Sequence, residues 1–148
     1  MTPEQRELRD ALSALPARAA AAATALAPVS PSDAPAPGEW SAREVVLHLA
    51  AVDMEVWHAR LDALVAEDVP SWPWVEPGRW SGPGDATFEG ALAILRDARA
   101  ATISRLDALD SAGWARRGRH ATYGVLDVAA LMRIALRHDE EHLAQILR

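Results

Sequence analysis

The 148-residue chain contains no cysteine. A disulfide framework, a thiolate metal site and a cysteine nucleophile are thereby excluded, and any thiol chemistry must use a thiol carried in by a substrate. Lysine is missing as well, so all fifteen basic residues are arginine. With so much alanine, this reads as the coding bias of a GC-rich genome and carries no functional weight. The net charge of -6 and the lack of a basic stripe disfavour a nucleic-acid surface, which needs clustered cations to displace counterions. The one basic cluster, Arg116-Arg117-Gly118-Arg119, reads as a solvated loop.

No apolar run reaches the roughly 20 residues of a membrane span. The alanine-rich stretch from Ala19 to Ala27 is not expected to be a signal peptide, because Glu4, Glu7 and Asp10 balance Arg6, Arg9 and Arg18 before it and a helical stripe runs beneath it. The chain is therefore expected to be soluble and cytoplasmic, and its length fits a single domain, 1–148. Sustained alternation of apolar and polar residues, the mark of strands, is also lacking.

What the sequence does contain is helical spacing. Thr2-Pro3-Glu4 opens a first helix with the stripe Leu8, Leu12, Leu15, Ala19, Ala22 and Leu26, bent at Pro16. Pro28 to Gly38 carries four prolines and cannot continue that helix, so it is a crossover or tether that permits the first two helices to run either parallel or antiparallel. Ser41-Ala42-Arg43-Glu44 is a capping box opening a second helix, with Trp40 placed as its hydrophobic staple. Val45, Leu49, Val52, Val56 and Ala59 form its stripe, and His48 lies on that stripe.

The segment from Glu67 to Asp85 is rich in Pro and Gly and holds Trp72, Trp74 and Trp80. Two uses fit three indoles in a loop: plugging the end of the core, or lining a ligand pocket. Asp85 or Thr87 caps a third helix with the stripe Phe88, Leu92, Leu95, Ala98, Thr102, Leu106 and Leu109. After an irregular segment from Asp110 to Gly124, Asp127 caps a fourth, whose stripe is Val128, Leu131, Ile134, Ala135, His138, His142 and Ile146. Four such helices define an all-α four-helix bundle.

His138 and His142 are four residues apart, about 40° around a helix of 3.6 residues per turn, so both imidazoles can converge on one point. His48 is the candidate third ligand. Alone, each buried histidine is as readily a hydrogen-bonded core residue; together, three imidazoles on two stripes can share one cation. Three neutral imidazoles without thiolate suit a divalent ion such as zinc or nickel with an open position, where water or an incoming thiol is activated. Glu44, Glu55, Glu141 and Gln145 lie at angles from which they can support those ligands. Glu44 also has its capping duty, and Gln145 can face either the site or solvent.

A zincin needs Glu directly after the first histidine, and Asp139 stands there. Glu55-Val56-Trp57-His58 matches one di-iron element, but those bundles use two copies. His58, about 80° from His48, reads as structural or exposed.

Trp40 to Leu49 together with His138-Asp139-Glu140-Glu141-His142-Leu143-Ala144-Gln145-Ile146 resembles the DinB-like (DinB/YfiT) superfamily, over the whole chain. The resemblance implies a four-helix bundle with up-down-down-up connectivity and a divalent metal on His48, His138 and His142. It also implies a frequent homodimer and a link to DNA-damage or stress induction by regulation, without DNA binding. Characterised relatives include bacillithiol S-transferases and mycothiol-dependent maleylpyruvate isomerases, and others have no known reaction. The implied function is thus metal-dependent S-transfer onto a small molecule. The alternatives are a metal-dependent hydrolase of the same fold and a non-catalytic bundle in which metal is structural. The Pro-rich linker and the segment Trp72 to Trp80 depart from the family pattern, and substrate choice is expected to lie in such loops.

Overall fold

The computed structural model describes residues 1–75 and 86–147; Trp80 and Asp85 lie outside them. Thr2 caps α1 (Pro3–Ser13), its hydroxyl accepting from the Gln5 amide while the Gln5 side chain accepts from the Thr2 amide. Pro16 does more than bend this helix. The run stops at Ala14 and restarts as α2 (Leu15–Ala25). Pro16 has no N–H to offer the Leu12 carbonyl, and that carbonyl accepts from the Arg99 guanidinium instead, at 2.9 Å.

The second helix begins as α3 (Ala42–Val52) with the expected capping box at Ser41 and Glu44. It passes through a π-helical turn, Asp53–Trp57, into α4 (His58–Ala66). The wider turn delays the next face, so Ala59 is exposed and Arg60, Leu61 and Leu64 are buried in its place. Thr87 caps α5 (Phe88–Asp107), and Asp127 caps α7 (Val128–Ile146) through its bond from the Ala130 amide.

The chain's direction follows from its cross-links. Arg43, His58 and Asp62 of the second helix meet Ala86, Ala98 and Arg105 respectively, so second and third helices run parallel. Arg9 meets Asp107 and Leu12 meets Arg99, so the first helix is antiparallel to the third. His48 lies beside His142 and Trp57 beside His138, which makes the fourth helix antiparallel to the second. The order is up-down-down-up. The connection that joins a parallel pair is therefore 67–87, whereas the Pro-rich linker joins an antiparallel one.

Strands are present although the sequence pattern gave no sign of them. β1 (Ser71–Trp72) pairs in parallel with β2 (Arg117–His120), which pairs antiparallel with β3 (Gly124–Asp127); between β1 and β2 lie α5 and the single-turn α6 (Ser111–Trp114). Strands of two to four residues are too short to show a period. Arg117 and Arg119 thus belong to a strand, not a loop, while Arg116 donates to the Leu64 and Glu67 carbonyls that end α4. Trp72 is buried against β2, and a Cβ at Gly118 would sit 2.3 Å from its ring. Trp74 is 63 % exposed. Of the segment's two described indoles, Trp72 fits the plug reading and Trp74 does not.

Deepest in the bundle is an ionic network that the stripes did not predict. Arg99 (2 % exposed) faces Asp53 (0 %) and Asp139 (1 %). Its Nε and Nη2 donate to Asp53 at 2.8 Å each, and its Nη1 and Nη2 donate to Asp139 at 2.7 and 3.0 Å. With the Leu12 carbonyl, all five guanidinium protons are taken. Thr102 donates to Asp53, and His58 donates to Thr102 and the Ala98 carbonyl, so His58 is structural.

Removing the cation strands two buried carboxylates. Arg99→Ala is expected to lower unfolding free energy by about 3–5 kcal/mol, measured by urea denaturation; a loss under about 1 kcal/mol would mean that the network contributes no more than a surface pair.

Candidate metal centre

The second helix carries His48 on its first half, and α7 carries His138 and His142 one turn apart. One ring nitrogen from each of the three lies within 4.8 Å of the others. Ring centroids are 4.4 Å apart for His138 and His142, 4.6 Å for His48 and His142, and 5.5 Å for His48 and His138. The predicted stripe of α7 is turned slightly: its deepest line runs through Met132, Ala135, Asp139 and Leu143, leaving His138 and His142 half-buried at its edge. That position suits ligands, because an ion at the edge can be reached by a substrate.

The amide oxygen of Gln145 lies 2.8 Å from His142 Nδ1 and can only accept, which holds the His142 proton on Nδ1 and leaves the Nε2 lone pair directed inward. His142 Nε2 is 3.1 Å from His138 Nε2. A tetrahedral ion with bonds of about 2.0–2.1 Å holds neighbouring nitrogens roughly 3.3 Å apart, so these two are already close to ligand spacing. His48 Nδ1 and His138 Nδ1 are buried without a hydrogen-bond partner. The facing Nε2 atoms of His138 and His142 converge on one point, and a cation shared with His48 fits that set of imidazole nitrogens.

Electrostatics keep the rings in the form a metal needs. Burial, helped by the neighbouring His142, pushes the His48 imidazole down to about 4. Burial first, then His142, His48 and Arg99, pushes His138 down to about 3. Both are neutral and carry lone pairs at physiological pH. Asp139 moves the other way, up to about 6, because burial outweighs its share of the one guanidinium that serves two acids.

Of the supporting residues predicted, Gln145 is placed on the His142 ring. Glu44 is taken by the capping box, its carboxylate accepting from the Ser41 amide and hydroxyl. Glu55 is exposed. Glu141 lines an open cleft of about 520 Å³ with Gly38, Glu39, Trp40, His142 and Gln145. Trp40 lies edge-on to His48 and stacks parallel to His142, so it shields the site besides starting the helix. A second cleft, about 290 Å³, reaches His138 from the other side between Trp57, Trp74 and His120.

Fold and site together define a helical bundle with a cluster of three histidines, one buried and two half-buried, that two clefts reach. The DinB superfamily model matches residues 4–146, and the chain belongs to that superfamily. Among solved structures it is similar to YfiT from Bacillus subtilis, described as a probable metal-dependent hydrolase with an unusual four-helix bundle topology. The two share 22% identity over 99% of this chain and 86% of that one, with a TM-score of 0.78. No curated protein matches. Among the described residues no helix is long and apolar enough to cross a membrane.

The depressed histidines give a pH signature. A histidine whose folded pKa is lowered contributes stability that is present above its unfolded value of about 6.5 and is lost as pH falls toward about 4. Asp139, raised, works against this over part of the same range, so a difference is the informative quantity. Metal-free wild type is expected to lose melting temperature between pH 6.5 and 4 more steeply than metal-free His48→Gln. Parallel curves would show that the ring is not buried neutral.

Proposed function

We propose that this chain is a metal-dependent enzyme: His48, His138 and His142 hold one divalent ion, zinc or nickel, and a nucleophile is activated there for attack on a small electrophile. The observation that carries this reading is the convergence of three imidazoles beside two clefts. An ion bound by three imidazoles supplies the Lewis acidity that lets a water or a thiol lose its proton near neutral pH. The chain's own residues prepare for it. His48 and His138 stay unprotonated through burial, Gln145 sets the tautomer of His142, and Trp40 and Trp57 close apolar surface against the rings.

Two nucleophiles suit the site. A low-molecular-weight thiol makes the reaction an S-transfer, and the chain, lacking cysteine, can supply no thiol itself. Water makes it a hydrolysis, a reading supported by the likeness to YfiT. The partners are then a small-molecule substrate and, for S-transfer, a thiol co-substrate.

Elemental analysis of untagged protein reconstituted with zinc or nickel is expected to find about one equivalent, and much less in His138→Ala. Metal under about a tenth of an equivalent in both proteins would defeat the centre. The nucleophile is separated by following consumption of a model electrophile with and without bacillithiol, mycothiol or glutathione. Dependence on added thiol marks S-transfer; equal, metal-dependent rates with and without it mark hydrolysis. Metal uptake with no turnover of any electrophile or ester would leave the ion a structural role.

A further inference from the structure

The cleft beside His138 contains two donors for which the metal reading has no use. Arg60 is only 6 % exposed, yet among the described residues no carboxylate pairs with it and no hydrogen bond engages its guanidinium. Its neighbours are aromatic: the guanidinium carbon lies 5.6 Å from the Trp57 ring centre and 5.9 Å from that of Trp72. Indole faces stabilise the plane of a guanidinium but accept nothing from the N–H groups at its edge. None of its nitrogens is sealed from solvent, so the edge of the cation opens on the cleft, where an anion can supply the acceptors that the indoles do not.

The second donor is His120, 5 % exposed, on the end of β2. Its Nδ1 accepts from the backbone amides of Thr122 and Tyr123, at 2.9 and 3.2 Å. Two donors on Nδ1 place the proton of the neutral ring on Nε2, which has no partner among the described residues. Both residues line the same cleft, whose walls are otherwise largely apolar, with Val52, Val56, Trp74 and Ile134. His138 also lines it, so whatever sits on Arg60 lies next to the three-histidine cluster.

We propose that Arg60 and His120 form an anion-holding site for the carboxylate of a small organic acid whose apolar body rests against Trp57 and Trp74. A carboxylate offers two coplanar oxygens to the guanidinium edge and a lone pair to His120 Nε2–H. That this acid is the substrate, presenting its reactive group toward His138, rests on the metal-dependent reading; that the cleft binds a carboxylate does not. Trp57 and Trp72, stacked on the guanidinium, are built-in reporters.

The test is titration of the metal-free, full-length chain with benzoate and with its neutral isostere benzamide, followed by tryptophan fluorescence and calorimetry. Benzoate is expected to bind at least about tenfold tighter than benzamide, and this advantage is expected to vanish in Arg60→Gln. Equal binding of the two by wild type, or binding of neither, overturns the proposal even if the variant does not fold. Inorganic phosphate binding as tightly as benzoate would overturn the apolar half of the assignment. Metal uptake by Arg60→Gln is expected to equal that of wild type. A chain that binds benzoate but takes up no metal keeps this site and loses the metal centre; the reverse result separates them the other way.

Discussion

One buried guanidinium sets the arrangement of the helices. Arg99 on α5 reaches the Leu12 carbonyl of the first helix, Asp53 of the second and Asp139 of the fourth, so a single side chain touches all four members of the bundle. Burying three charges is costly unless each proton and lone pair is met, and here every N–H of the guanidinium has an oxygen. Such a network tolerates little sliding, because a shift of one residue would leave ionised groups unpaired in a dry core. Apolar contacts alone are less demanding about register.

The network lies one short step from the histidines. Asp139 follows His138 in sequence, and Asp53 lies five residues after His48, where the π-helical turn begins. Anchoring those two acids to one cation therefore positions the two histidine-bearing helices against each other without any ion. Pro16 belongs to the same device, since its missing amide leaves the Leu12 carbonyl to Arg99. Pre-positioned ligands lose less entropy on binding a metal, and rings held neutral by burial need not first release protons.

The two sides of the site differ in kind. Toward Trp40 the opening is lined by Glu39, Glu141 and Gln145 and is polar and wide. Toward Trp57 it is smaller and aromatic, with His120 at the end of the small sheet among its lining residues. The sheet exists to seat that side: Trp72 packs on Gly118, β2 ends at His120, and the turn after it returns two amides to the imidazole. A helical bundle thus gains a rigid pocket wall that helices alone would not present.

Helix number, caps and stripes were legible from residue spacing, because an amphipathic helix repeats its burial every three or four residues and Ser41, Thr87 and Asp127 cap by local hydrogen bonds. The three histidines were legible for the same reason: a four-residue spacing on a helix is a spatial statement. Arg99, Asp53 and Asp139 were not, since a charged residue reads as solvent-facing until its partners from other helices are known. The π turn, which moved Arg60 inward, and the short strands, which carried His120 there, left no period to detect. By itself the sequence determined the main helices, their caps and the histidine pair of α7, which depend on neighbours within a turn or two. The depth of the ionic network, the direction of each helix and the two clefts were decided only in the tertiary structure, because they depend on residues distant in the chain meeting in low dielectric.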